Sequence, residues 1–298
     1  MLTEETESGM PTKEERRAEA AKHLGLVKGL FASETAKTIE SATLYEDGDG
    51  RELELPEARF EATDIKVEWG ALADAVAHAK GKVCVVDPAS YRMPGGNYLN
   101  GGWDTEEQIC AESNLFPILE GLRGDYHDAN RHSTHGGLNS DRALYLTDVM
   151  FTTGGTMRKR DVLVCAPPNR NFALQNHRSE AECEMDLAHR IEALLRIAAV
   201  NGADTLVLGA FGCGFFGNDP EHVAGLIKSW LDAHPGLFEK VVFSIAGGPA
   251  LDAFRAAFPQ EQAPAKEEPA PDGEDEFDDD LDDWFYNTDE NSGRWIFE

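Results

Sequence analysis

Val83-Cys84-Val85-Val86-Asp87-Pro88-Ala89-Ser90-Tyr91-Arg92-Met93-Pro94-Gly95-Gly96-Asn97-Tyr98-Leu99-Asn100-Gly101-Gly102-Trp103-Asp104-Thr105-Glu106-Glu107 is the stretch from which the rest of the chain can be read. An apolar, β-branched run enters a glycine-rich loop, and two adjacent acids follow where a helical pattern begins. The spacing predicts a strand over 82–86 and a helix over 106–115. Strand, loop and helix N-terminus in that order form a backbone cradle for phosphate. Carboxylates beside such a cradle repel an anion held there. They fit if the loop holds a diphosphate while the acids reach a sugar attached to it. That combination points to an enzyme acting on a nucleotide-sugar bond.

A second glycine cluster has the same form. Leu206-Val207-Leu208 reads as a buried strand, and Gly209-Ala210-Phe211-Gly212-Cys213-Gly214-Phe215-Phe216-Gly217-Asn218-Asp219-Pro220 follows it. Glycines at 212, 214 and 217 permit close backbone approach to a ligand. Asn218 or Asp219 can cap a helix that Pro220 opens, since proline suits the first helical turn. Either loop alone is as well explained by a structural turn. Two of them at the carboxyl ends of strands in an α/β pattern mark the place where such sheets bind ligands.

Together the two loops resemble the macrodomain of microbial-type poly(ADP-ribose) glycohydrolases. That family carries a triple glycine, a short spacer and Gln-Glu-Glu, then a later Gly-Cys-Gly-x-Phe-Gly-Asn-Asp loop. Here the first signature stands as Gly95-Gly96-Asn97, seven residues, then Thr105-Glu106-Glu107, and the second runs nearly whole from Gly212 to Asp219. Asn97 replaces a glycine, Thr105 a glutamine, Met93 the usual asparagine and Trp103 a common arginine. Asp87-Pro88-Ala89-Ser90 stands where Asn-Phe-Ala-Ser is usual. The likeness runs from about residue 30 to about 258.

The resemblance implies a three-layer α/β/α macrodomain with a mixed sheet and ADP-ribose across its crevice. It implies hydrolysis of ADP-ribosyl linkages on protein or polymer, with Glu107 as the general acid and base and Glu106 on a ribose hydroxyl. Asp87, Ser90, Gly95, Gly96, Asn97, Tyr98, Gly212, Cys213, Gly214, Phe215, Phe216, Gly217 and Asn218 are the expected substrate contacts. Neither a metal nor a cofactor is required by this scheme. Two alternatives stay open: an ADP-ribose reader without turnover, and an interaction protein whose C-terminal tail carries the function.

Net charge is −28. A general nucleic-acid binder presents Lys and Arg to phosphates, so that class is disfavoured. A nucleotide-sized ligand is different, because backbone NH groups and helix dipoles hold its phosphates without net positive charge. No apolar run approaches the ~20 residues that cross a bilayer, and the N-terminus is charged rather than signal-like. The five cysteines are scattered, with Cys84 and Cys165 in apolar strand runs, which fits buried free thiols and a reduced, cytoplasmic setting.

The expected organisation is a polar, helical extension over 1–29, a catalytic domain over 30–258 and an acidic, disordered tail over 259–298. The tail mixes repelling acids with Phe277, Trp284, Phe285, Tyr286 and Trp295, a composition suited to docking on a basic partner or in the cleft and equally to a solubilising tail with incidental aromatics. Between the strands, 121–142 is longer than an ordinary connection and reads as a lid. Its His127, His132 and His135, with Asp125 and Asp128, lack metal-ligand spacing and read as solvated or ligand-contacting. Glu180 to Val200 is the strongest helix, with Leu187, Ile191, Leu194, Leu195 and Ala198 at helical spacing. Further strands are expected at 65–67, 144–146, 162–165, 204–208 and 241–245, with helices at 35–42, 71–79 and 220–232. Phe211 is a candidate to stack on ribose or adenine. Asn169 and Arg170 follow a strand end, where contact with ligand and an ordinary turn are nearly equal readings.

Overall fold

The computed structural model describes residues 11–132 and 134–259, so the acidic tail and the expectations attached to it lie outside the described residues. The centre is a seven-stranded sheet. Its strands are β1 Thr43–Tyr45, β2 Asp64–Trp69, β3 Val83–Asp87, β4 Ala143–Phe151, β5 Arg158–Cys165, β6 Thr205–Leu208 and β7 Lys240–Ile245. They lie in the order β1-β4-β5-β3-β6-β7-β2. β4 is antiparallel to both β1 and β5, and the remaining pairs are parallel. β3 is central: Val85 pairs with Val162 on one side and Val207 on the other.

Alternation along these strands builds the two outer layers, because successive side chains point to opposite faces. Cys84, Val86, Leu163, Leu206 and Phe243 join one buried cluster with α8 (Glu180–Val200), α9 (Pro220–Ala233) and α10 (Gly248–Ala257). Val83, Val85, Val162, Val164, Val207 and Val242 join the other. On that face lie α4 (Leu72–His78), α5 (Thr105–Ala111) and α6 (Leu115–Gly121). Every residue of β3 and β6 is buried, as expected of parallel strands covered on both faces. The three-layer fold with a mixed sheet is the one the family resemblance implied. Among the described residues no helix is long and apolar enough to cross a membrane.

Local departures from the sequence reading have identifiable causes. The helix expected over 106–115 stops at Ala111, and a second begins at Leu115. Ser113 Oγ donates to the Ile109 carbonyl at 2.7 Å, and Asn114 leaves the helix to pair with Met150 of β4 through its amide and its side-chain oxygen. The stretch expected as a lid is packed into the fold in its first half. Tyr126 and His127 are fully buried in a wide turn over Gly124–Asp128, and the Tyr126 hydroxyl accepts from the Ala166 amide at 3.1 Å. His127 is thus no solvated loop histidine, and burial pushes its imidazole down to about 3.

The polar N-terminal stretch holds α1 (Lys13–Leu30), opened by a capping box between Thr12 and Glu15. A second helix, α2 (Ala32–Glu40), follows almost directly. The inner face of α1 buries Ala20 and Val27, and the helix sits against the first glycine loop. Its Arg16 Nε donates to the Gly101 carbonyl at 3.0 Å, and the Tyr98 hydroxyl donates to the Ala20 carbonyl at 3.2 Å.

One buried cation ties the helical layer to the ends of the strands. Arg190, within α8, has no exposed surface and donates to Asp141 Oδ1 at 3.0 Å, to the Leu138 carbonyl and Asp186 at 3.2 Å, and to the Ala166 carbonyl. Burial alone would raise the Asp141 carboxyl. The charges and hydrogen bonds of Arg190 and Arg51 outweigh it and hold the group below its ordinary value. Removing one partner of such a pair leaves the other charge buried. Arg190→Met is therefore expected to destabilise the fold by about 3–5 kcal/mol, read from the urea midpoint at constant slope. A loss under about 1 kcal/mol would show that water replaces the guanidinium at little cost.

Candidate active site

The carboxyl ends of β3 and β6 open into a crevice of about 260 Å³. The first glycine loop contributes Ser90, Gly96 and Asn97, and the start of α5 contributes Glu106 and Glu107. The second loop contributes Gly212, Gly214, Phe215 and Phe216 from the other wall. The two loops picked out in the sequence therefore face one another across a common space.

The glutamates are fixed by backbone, not by cations. Glu106 Oε2 accepts from the Ser90 amide at 2.8 Å, and Glu107 Oε1 accepts from the Asn97 amide at 2.7 Å. Each side chain is 5 % exposed, and each keeps one oxygen without a protein partner, Oε1 of Glu106 and Oε2 of Glu107. Gly96 makes this approach possible. At φ +53° it occupies left-handed backbone, and a Cβ there would stand 2.5 Å from Glu107 Oε1 and 3.0 Å from Glu106 Oε2. Asn97 has φ −102°, an ordinary value, so the side chain that replaces the family's third glycine brings no backbone strain.

Behind the glutamates lies a third carboxyl. Asp87 ends β3 fully buried, and neither of its oxygens has a hydrogen-bond partner. Burial first, then the charge of Glu107, raises it well above the usual carboxylate range. Burial likewise raises Glu106, with the Asp87 charge adding to the effect and the Ser90 amide opposing it. Buried in so dry a space, Asp87 and Glu106 hold their protons to higher pH than exposed carboxyls do.

The other expected contacts stand behind the crevice wall. Gly95 lies against Phe116 and Cys110, and the Tyr98 ring is buried 5.3 Å from that of Phe116, with its hydroxyl 2.7 Å from His23 Nδ1. Asn218 is buried and donates to the carbonyls of Pro168 at 2.9 Å and Gly212 at 3.0 Å, which closes the second loop onto the end of β5. Gly217 faces the Asn171 side chain. Cys213 is partly buried, and burial pushes its thiol up to about 12, which leaves it a poor nucleophile. Phe211 belongs to the core, whereas Phe215 is 80 % exposed over the crevice. Asn169 caps α7 (Arg170–Gln175), and Arg170 turns to Glu180 at 2.6 Å. The sequence reading missed Pro88, Asp104, Pro167 and Ala210, which also line the space. The available signal was that Pro88, Pro167 and Ala210 follow strand ends and that Asp104 directly precedes α5.

A family model for the catalytic domain of microbial-type poly(ADP-ribose) glycohydrolase matches residues 26–153. Among solved structures, the poly(ADP-ribose) glycohydrolase of Thermomonospora curvata is 28% identical, with a TM-score of 0.75 over 82% of this chain and 100% of that one. Its form bound to the inhibitor ADP-HPD matches over the same shares, with 28% identity and a TM-score of 0.72. The Deinococcus radiodurans enzyme in complex with ADP-ribose is 25% identical, with a TM-score of 0.65 over 75% of this chain and 96% of that one. No curated protein matches the chain. The matched segment contains the first glycine loop with both glutamates, and the structural likeness extends over the sheet that carries the second. Over these residues the chain is similar to the microbial-type poly(ADP-ribose) glycohydrolases.

Proposed function

We infer that this protein hydrolyses ADP-ribosyl glycosidic linkages, with ADP-ribose as the unit its crevice accepts. The observation that carries the reading is the pair of buried glutamates. Each is held at one oxygen by a loop amide and free at the other, at the rim of a space framed by two glycine loops. Cleavage at a ribose C1″ passes through an oxocarbenium-like state, and a carboxylic acid beside the departing oxygen lowers that barrier by donating a proton. The conjugate carboxylate then takes a proton from the attacking water. Glu107 is assigned the proton transfer and Glu106 the ribose hydroxyl. Adjacent helical residues point about 100° apart, so the two can serve different atoms.

The glycine loops are assigned the diphosphate, and Phe215 and Phe216 a ring or ribose face. A diphosphate at the loops also offsets positive charge developing on the ribose. Binding without turnover is the competing reading, based on Asn97 and Thr105. It loses support because the Asn97 amide still holds Glu107 and the backbone there is relaxed.

Wild-type protein is expected to release free ADP-ribose from ADP-ribosylated protein or polymer. Glu107→Gln is expected to lower turnover by at least ~10²-fold, the scale of general acid catalysis, with little change in ADP-ribose affinity by calorimetry. An ADP-ribose-binding wild type that hydrolyses none of these substrates would identify a reader. Undiminished turnover in the variant would move the proton transfer to another group.

Asp87 is assigned as the group behind Glu106 and Glu107 that retains a proton. Its folded carboxyl titrates above the unfolded one, whose ordinary value is 3.8. As pH rises past that point the unfolded chain loses the proton first, so this group costs stability increasingly up to the folded pKa. Asp87→Asn removes the titration and keeps the shape. Its thermal midpoint is expected to exceed that of wild type at about pH 8, with the gap narrowing towards about pH 5. A gap that is constant across this range would show a packing effect instead.

A further inference from the structure

A second, larger cavity of about 630 Å³ adjoins the crevice and shares Ser90, Phe215 and Phe216 with it. The Ser90 amide is the group that holds Glu106, so the two spaces meet beside the carboxylates. The outer wall comes from Arg92 and Met93 of the first loop, from Arg131, and from Phe172 of α7.

The chemistry of this wall departs from that of the chain as a whole. In a protein of net charge −28, two arginines line one cavity. Arg131 donates through Nε and Nη2 to the Arg92 carbonyl at 3.3 and 3.1 Å, which anchors its guanidinium at the rim. The nearest acid is Asp128, 3.4 Å from Arg131 Nε, and that carboxylate also serves Arg123 at 3.5 Å. Among the described residues, Arg92 has no carboxylate within ion-pair distance. Phe172, 44 % exposed, adds an aromatic face to the same wall.

Whatever is joined to the ribose at C1″ must occupy space beside Glu106 and Glu107 before it leaves. On a singly modified protein that group is one side chain. In a polymer it is the ribose of another ADP-ribose unit, which brings two phosphates and a purine. We propose that the second cavity is a leaving-unit subsite that binds the next ADP-ribose unit of a polymer, with its diphosphate at Arg92 and Arg131 and its base against Phe172. This deepens the glycohydrolase reading and rests on it. Arginine suits the role because its planar fork pairs with phosphate oxygens and stays charged. Bond cleavage needs nothing new: the C1″–O bond breaks, the leaving hydroxyl takes the proton from Glu107, and water supplies the replacement oxygen.

The test uses the full chain carrying Glu107→Gln, so that binding is read without turnover. Its dissociation constants for ADP-ribose and for a two-unit ADP-ribose oligomer are measured by calorimetry. The oligomer is expected to bind at least about tenfold tighter, the scale of one charge-assisted hydrogen bond, with an advantage that shrinks as salt is raised. Adding Arg92→Ala and Arg131→Ala is expected to abolish the advantage and leave ADP-ribose affinity unchanged, while Lys at both positions restores part of it. Equal affinity for the two ligands before the arginines are removed would overturn the proposal. So would a matching loss for both ligands afterwards. An oligomer advantage that persists without the arginines would also overturn it. If neither ligand binds, the ADP-ribosyl reading itself fails, and the subsite with it.

Discussion

Two backbone amides, those of Ser90 and Asn97, each hold one oxygen of a buried glutamate, and the shape of the crevice follows from these bonds. They tie the first turn of α5 to the loop that leaves β3. A carboxylate that accepts a backbone hydrogen bond is oriented without a salt bridge. No fixed cation then competes with a ligand for its second oxygen. The bonds in turn require the absence of a side chain at Gly96, whose Cβ would stand within contact of both carboxyls.

The loop that makes those bonds is braced from outside the sheet. Tyr98 points away from the crevice and packs on Phe116, while its hydroxyl reaches the Ala20 carbonyl and His23 of α1. Arg16, on the same helix, reaches Gly101 two residues before Trp103. The second loop is braced by a different device, the Asn218 side-chain amide shared between Pro168 and Gly212. A crevice between two irregular loops therefore keeps its shape because each loop is tied to a regular part of the fold. The buried Arg190 extends the same logic to the end of β5, where it takes the Ala166 carbonyl.

The fold was legible because fully buried parallel strands write themselves as unbroken apolar runs, and Val83 to Val86 and Leu206 to Leu208 are such runs. The glutamate pair was legible for a different reason: acids at a helix start commonly serve the helix dipole, and the resemblance of both loops to one family singled these two out. Tyr98 was not legible, since an aromatic residue inside a glycine loop reads equally as a ligand contact and as an anchor. Only tertiary packing decides between these. The same holds for Ser113 and Asn114. Their side chains compete with the helical backbone, but whether they end a helix depends on β4 lying within reach. The wide turn around Tyr126 was hidden because its polar sequence gives no sign that a phenol and an imidazole are buried. The role of α1 was obscured by its polarity, with Ala20 and Val27 as the few buried residues on an otherwise solvated helix.

An acidic protein proposed to take an anionic ligand must separate like charges or neutralise them, and this crevice has means for both. Separation comes from the loops, whose amides and glycines can receive a diphosphate while the glutamates lie at the start of α5. Neutralisation comes from dryness. Asp87 and Glu106 are raised because burial penalises their charged forms, so these two hold protons to higher pH than exposed carboxyls do. Protonated acids repel phosphate less than carboxylates do. The burial that makes the cluster costly for folding thus also makes it compatible with its ligand. The same reasoning bears on Asp87, which stands where the resemblance places an asparagine: a carboxyl that keeps its proton is uncharged and planar like the amide, with one donor hydrogen against the amide's two.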